Sequence, residues 1–156
     1  MTSRYQVIPA AYVLLTDQHQ RVLLAYRRGT GYMDEHWAAG AAGHVEADES
    51  IHAAAVREAH EELGVRIRAQ HLMPLTVLHR SAGNGQSIDE RIDIFFAVRT
   101  WTGTPAIQEP HKAADLGWFG LDDLPEPVVP HEHYVLTELG RGSLPAVTSL
   151  GFPPVD

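Results

Sequence analysis

Apolar positions along the chain fall into short blocks separated by polar or glycine-bearing gaps. Val7 to Thr16 (VIPAAYVLLT) is dense in β-branched and apolar residues, Asp17 to Gln20 interrupts it, and RVLLAYRR resumes, which predicts a hairpin of two strands. From Gly29 to Gly43 no period is sustained, the pattern of a loop ending in a tight turn at Gly40-Ala41-Ala42-Gly43. Ser50, a suitable N-cap, and Gly64, a suitable C′ residue, bracket a helix over about 51–63. IRAQHLMPLTVLHR and ERIDIFFAVRTW read as strands joined by SAGNGQSID, whose Asn84-Gly85 marks the turn of a second hairpin. ADLGWFGLDDLP predicts a short strand running into a turn, and His131 to Leu139 a closing helix ended by Gly140. The proline-rich tail SLPAVTSLGFPPVD reads as irregular. These elements predict one α/β domain over residues 1–156, with a core from about 5 to 141 and an irregular tail over 142–156. Strands with one central and one terminal helix form a mixed sheet covered on both faces, an α/β/α sandwich.

The central helix places charge oddly. At about 100° per residue, His52, Val56, Ala59 and Leu63 fall on one stripe predicted to meet the sheet. Glu58, Glu61 and Glu62 stand at i, i+3 and i+4, so their carboxylates share one arc on the far side and point the same way. The helix dipole disfavours negative charge near its C-terminal end by a few tenths of a kcal/mol up to about 1. No lysine or arginine follows any of the three by four residues within the helix, Arg66 lying beyond its end, and like charges at this spacing repel. One reading is a solvated acidic face. The other is a bound Mg²⁺ or Mn²⁺, hard cations that take carboxylate, carbonyl and water oxygens. Arg57 precedes Glu58, and Glu49 lies eight residues before Arg57, so a loop folding back along the helix would pair those two.

Composition narrows the classes. At 156 residues, with 44% hydrophobic and 21% charged residues, the chain has the balance of a globular domain rather than a disordered or collagen-like one. Its apolar runs fall short of the roughly 18–20 residues of a membrane span. The stretch MTSRYQVIPA lacks the apolar region of a secretory leader, so a cytoplasmic protein beginning near Met1 is expected. The absence of cysteine removes disulfides, thiolate metal sites and cysteine nucleophiles. A net charge of −8 opposes binding to a nucleic acid polymer or an anionic membrane. A polyanionic small substrate would need a divalent cation or placed arginines to reverse the local sign.

The pattern G-x5-E-x7-R-E-U-x-E-E-x-G-U, with U apolar, is met at every position by Gly43, Glu49, Arg57, Glu58, Ala59, Glu61, Glu62, Gly64 and Val65. Seven fixed residue types coincide by accident about once in a hundred million registers. On these residues the chain is identified as resembling the Nudix hydrolases, whose signature box this is. The resemblance implies a Nudix-type α/β/α sandwich with a mixed β-sheet, a central box helix and a C-terminal helix. It implies cleavage of a nucleoside diphosphate linked to a group X, with Mg²⁺ (or Mn²⁺) held by Glu58, Glu61 and Glu62 and by a main-chain carbonyl at Ala42 or Gly43. The same three glutamates would be the catalytic acids, Glu58 being the first choice as base, although some members take the base from another loop. Glu49, Arg57 and Gly64 would shape the loop. Many members have Leu-Pro-Gly-Gly leading into the box, where this chain has Gly40-Ala41-Ala42-Gly43.

Outside the box, Arg27 and Arg28 end the second strand on opposite faces, and one of them can reach substrate phosphate as in similar enzymes. Glu109, in QEPHK, falls where related hydrolases place a further acid, and His44 is a second candidate for phosphate contact. Each has an ordinary surface reading as well. Trp118 and Phe119 read as core before base-stacking platform, Tyr32, Trp37, Phe95 and Phe96 share that ambiguity, and His131 and His133 read as structural. Within the resemblance a nucleoside triphosphate, an oxidised dNTP included, is preferred over ADP-ribose, sugar nucleotides and dinucleoside polyphosphates. The enzyme is expected as a monomer or homodimer acting on a small nucleotide. Isopentenyl diphosphate isomerases share the fold but use a catalytic cysteine, which is missing, and nucleotide sensors of this kind usually lose the box acids, which are present.

Overall fold

The computed structural model describes residues 3–156; Met1 and Thr2, the start of the stretch read as lacking a leader, lie outside the described residues. In chain order the elements are β1 (Ile8–Leu15), β2 (Arg21–Arg27), β3 (Trp37–Ala39), β4 (Ala41–His44), α1 (Ile51–Leu63), β5 (Met73–Arg80), β6 (Arg91–Val98), β7 (Ala113–Gly120), α2 (Pro130–Arg141) and β8 (Val147–Leu150). Five strands form a mixed sheet in the order β4-β1-β6-β5-β8, parallel at β1–β6 and β5–β8. The other three form an antiparallel sheet, β3-β2-β7.

Alternation along β1 explains the layering. Ala11, Val13 and Leu15 pack with Ala55, Ala59 and Leu63 of α1, whereas Ala10, Tyr12 and Leu14 pack with Val135 and Leu136 of α2. Successive side chains of a strand point to opposite faces. The two helices therefore cover opposite sides, and the architecture is the α/β/α sandwich. Among the described residues no helix is long and apolar enough to cross a membrane.

Several local expectations change. β1 and β2 are not a paired hairpin: they join different sheets and touch through an isolated bridge, Thr16 to Val22. The intervening turn is held by Asp17, whose carboxylate accepts from the His19 and Arg21 main-chain N–H groups. The loop expected over 29–43 contains β3 and β4, which lie in different sheets, so the chain crosses between them at Gly40. The tail read as irregular supplies β8, which pairs parallel with β5 and buries Thr148. Helix α2 runs past Gly140 and stops at Gly142, whose φ of 72° is the left-handed conformation glycine tolerates best.

Both ends of α1 follow the capping rules: Ser50 Oγ accepts from Ala53 N at 3.0 Å, and Gly64 turns left-handed at φ 71°. Its buried face is rotated from the expected stripe. Ala54, Ala55, Glu58, Ala59 and Leu63 are buried, Val56 is half-buried and His52 is exposed. Three alanines on that face let α1 lie close to the sheet.

Candidate active site

Rotation of α1 changes the position of its acids. Glu58, expected on the far side, is buried and turned toward β4, where its carboxylate occupies the space that a side chain on residue 43 would need. Only glycine fits opposite it. Arg57 runs beside this carboxylate and ties the loop to the helix: Nε and Nη2 donate to the two oxygens of Glu49 at 2.7 and 2.9 Å, and Nη2 donates also to the His44 carbonyl at 3.0 Å. This fork holds the Glu49 carboxyl at about 2. The cluster is also less uncompensated than its downstream spacing implied. Arg57 lies four residues before Glu61, and its Nη1 donates to Glu58 Oε1 at 2.7 Å and to Glu61 Oε2 at 3.2 Å.

Glu62 is half-buried on the other side of the same turn, and its Oε2 accepts from the Ala42 main-chain N–H at 2.6 Å. Burial pushes its carboxyl up to about 8, with the charges of Glu58 and Glu109 adding to the shift. Burial also raises Glu58 above the ordinary carboxylate range, against the pull of Arg57 and with help from Glu61 and Glu109. Glu109 thus belongs electrostatically to this site, although the box does not contain it; it is half-buried and pairs with Lys112 at 3.2 Å. Glu61 stays more exposed and leans on Arg57. Among the described residues no three acidic or histidine side chains converge on one ion position as they stand. The donor chemistry nevertheless fits a hard divalent cation. Buried carboxylates that raise one another's proton affinity lose that repulsion when a cation sits among them, and the side-chain-free Gly43 leaves main-chain oxygen accessible.

A cavity of about 510 Å³ opens beside this turn. Ala42, Gly43, His44 and Glu62 border one part of it, and Arg27 with the exposed Tyr32 another. A smaller space of about 270 Å³ shares Arg27, Ala42 and Glu62 and adds Glu109 and Lys112. Of the two strand-end arginines only Arg27 lines either space; a register irregularity of β2 falls between Tyr26 and Arg27, and irregularities of this kind re-aim side chains. Arg27 is held by the Tyr32 carbonyl at 3.0 Å and Thr30 Oγ1 at 2.9 Å, and its guanidinium lies 5.6 Å from the Tyr32 ring centre. Trp37, Phe95, Phe96, Trp118 and Phe119 belong to the two cores. His133 is exposed.

Sequence reasoning missed the far part of the larger cavity, where Tyr12, Arg80, Asp93, His131 and Glu132 meet from β1, β5, β6 and α2. Glu132 is buried, accepts from Ala39 N at 2.7 Å, and is pushed by burial up to about 7. His131, read as structural, shares its Nε2 with Tyr12 Oη at 3.1 Å, and burial with the nearby Arg80 charge lowers it to about 3, leaving it neutral. Asp93 is fully buried against Arg80, and burial raises its carboxyl. An acid inside the otherwise apolar run IDIFFAV was the available signal.

Fold and site together describe an α/β/α domain whose glutamate-bearing helix flanks a cavity of about 510 Å³. The chain belongs to the Nudix family: the NUDIX domain model matches residues 7–139. It is accordingly a hydrolase of pyrophosphate bonds in nucleotide-linked compounds, a family that generally works with a divalent metal. Among solved structures it is similar to a MutT Nudix hydrolase from Burkholderia pseudomallei, at 27% identity over 86% of this chain and 98% of that one, with a TM-score of 0.75. A MutT protein from Methanosarcina mazei Go1 matches at 16% identity over 90% and 98% of the two chains, with a TM-score of 0.72. A UDP-X diphosphatase matches at 19% identity over 96% and 69%, with a TM-score of 0.65. No curated protein sequence matches.

Proposed function

We propose that the protein hydrolyses a nucleoside triphosphate, an oxidised dNTP included, to the monophosphate and pyrophosphate in the presence of Mg²⁺ (or Mn²⁺). One observation carries this reading. A single cavity of about 510 Å³ is bordered by Gly43 and Glu62 of the box and also by the buried polar group around Asp93 and Glu132. Phosphates at the first place and one base at the second account for both. The net charge of −8 supports a small nucleotide over a nucleic acid polymer or an anionic membrane.

Glu58, Glu61 and Glu62, with a main-chain carbonyl of Ala42 or Gly43, would hold the ion, which when bound neutralises phosphate oxygens and lowers the pKa of water. Glu58 accepts the proton of the attacking water. The water oxygen bonds to phosphorus while the anhydride P–O bond breaks and pyrophosphate departs. Glu109 is the alternative acceptor, close enough to raise the proton affinity of Glu58. Arg27, fixed by Thr30 and the Tyr32 carbonyl, meets phosphate charge with Lys112 in the smaller space and with His44 in the larger one. Arg57 and Glu49 keep the loop folded along the helix.

The test is a panel of nucleoside triphosphates, ADP-ribose, sugar nucleotides and dinucleoside polyphosphates, each with and without Mg²⁺, with products identified. Monophosphate plus pyrophosphate, formed only with metal, is expected from triphosphates. Faster turnover of another class reassigns the substrate, and no turnover of any compound refutes the catalytic reading in favour of a nucleotide sensor.

A further inference from the structure

Lys112 is the one lysine of the chain; every other strongly basic side chain is arginine. The segment that carries it hangs from the last turn of α1, where helix carbonyls lack intrahelical partners: Ala106 N donates to the Leu63 carbonyl at 3.0 Å and Gln108 N to that of Glu62 at 3.2 Å. On its far side Arg28 N donates to the Lys112 carbonyl at 2.9 Å, and between these ties Lys112 N and Ala113 N close a turn on the Glu109 carbonyl. The main chain at Glu109 and Lys112 is thereby fastened to the box helix and to the end of β2. A rearrangement there is one of side chains.

Those side chains meet through a single contact, Lys112 Nζ to Glu109 Oε2 at 3.2 Å, with the lysine half exposed. An ion pair so open to water contributes little. Glu49 is held differently, gripped by Arg57 through two nitrogens at 2.7 and 2.9 Å. A guanidinium fork fixes a carboxylate, whereas an ammonium on a flexible stem is a point charge that can change partner. Lys112 and Glu109 both line the space of about 270 Å³, together with Arg27 and Glu62. An anion entering it meets two cations, one of them already holding a carboxylate, and phosphate oxygens compete for that ammonium with more charge than a carboxylate carries.

The geometry points to Lys112 as a positioning residue that couples the arrival of phosphate to assembly of the metal site. Before phosphate arrives, its ammonium holds Glu109. A phosphate group entering between Arg27 and Lys112 takes the ammonium over, and the freed Glu109 carboxylate turns to the divalent ion beside Glu62. Substrate and ion then each favour the binding of the other. The inference rests on the reading of the protein as a metal-dependent hydrolase of phosphate anhydrides and adds how substrate and ion are made interdependent.

The experiment titrates Mn²⁺ into the protein and follows the free ion by electron paramagnetic resonance, with no nucleotide present and each variant checked for folding by circular dichroism. Lys112→Met should tighten Mn²⁺ binding about fivefold or more, since Glu109 is then free from the outset. In a Glu109→Gln background the same substitution should change binding less than about twofold, because its effect runs through that carboxylate. Sulfate, an anion of phosphate shape that binds Mn²⁺ poorly, should tighten binding to the wild type about fivefold or more at constant ionic strength, and leave Lys112→Met within about twofold. An equal gain from Lys112→Met in both backgrounds, the mark of a charge acting at a distance, overturns the proposal. So does a wild type indifferent to sulfate, or Mn²⁺ binding too weak to measure in every chain. Metal-dependent turnover of triphosphates by a protein whose Mn²⁺ binding ignores Lys112 refutes the handover and leaves the hydrolase standing. A handover seen in a protein that turns over no nucleotide does the reverse.

Discussion

Glu132 offers the sharpest check on the electrostatics of the cavity. Its side chain is buried at the start of α2, where the helix dipole favours negative charge, yet burial raises its carboxyl from 4.5 to about 7. A carboxyl whose folded-state pKa lies above its unfolded value adds stability that is complete below pH 4.5 and is lost as pH rises through about 7. At about 1.4 kcal/mol per pKa unit, the whole loss is about 3 kcal/mol. Glu132→Gln keeps an oxygen to accept from Ala39 N and removes the titration. In urea unfolding followed by the fluorescence of Trp37, Trp101 and Trp118, the variant should gain on the wild type by about 2–3 kcal/mol between pH 5 and pH 8. His131, held neutral at about 3 in the folded state against 6.5 ordinarily, makes stability fall as pH drops, but it does so in both proteins and cancels in the difference. Stability profiles that stay parallel within about 0.5 kcal/mol would refute the reasoning.

Other expectations concern the box. Glu58→Gln and Glu62→Gln should each lower kcat by a factor of about 10² or more with the fold retained, and near-normal rates in both would remove them from the chemistry. Gly43→Ala puts a methyl group into the Glu58 carboxylate; thermal unfolding should register a cost of about 1–3 kcal/mol, and kcat should fall at least about tenfold. Ser50→Ala removes the bond to Ala53 N and should cost about 1 kcal/mol in chemical unfolding, with KM unchanged.

The helix with its caps and the strands β5, β6 and β7 were legible because each carries its own local signal, a period or a turn. What escaped depends on partners far along the chain. β8 is four residues long and is defined by a parallel neighbour some seventy residues earlier, and β3 (Trp-Ala-Ala) and β4 (Ala-Ala-Gly-His) are too short and too rich in small residues to leave an alternation to read. The buried face of α1 was misplaced for a related reason. Ala54 and Ala55 are as acceptable on a surface as in a core, and burial of Glu58 depends on the space at Gly43 and the hydrogen bond from Arg57. Asp93, Arg80, His131 and Glu132 come from three elements and become a group only once β5, β6 and α2 are assembled.

The crossing segment between the sheets is gripped twice, at Ala39 by Glu132 and at Ala42 by Glu62, and in both places the carboxylate holds a main-chain N–H rather than a side chain. Such an attachment is indifferent to which residue supplies the amide, provided that it is not proline. Exchange of one small residue for another at Ala39 or Ala42 therefore leaves both attachments in place. Gly-Ala-Ala-Gly in place of Leu-Pro-Gly-Gly is then a change of spelling at a site whose grammar is written in the backbone.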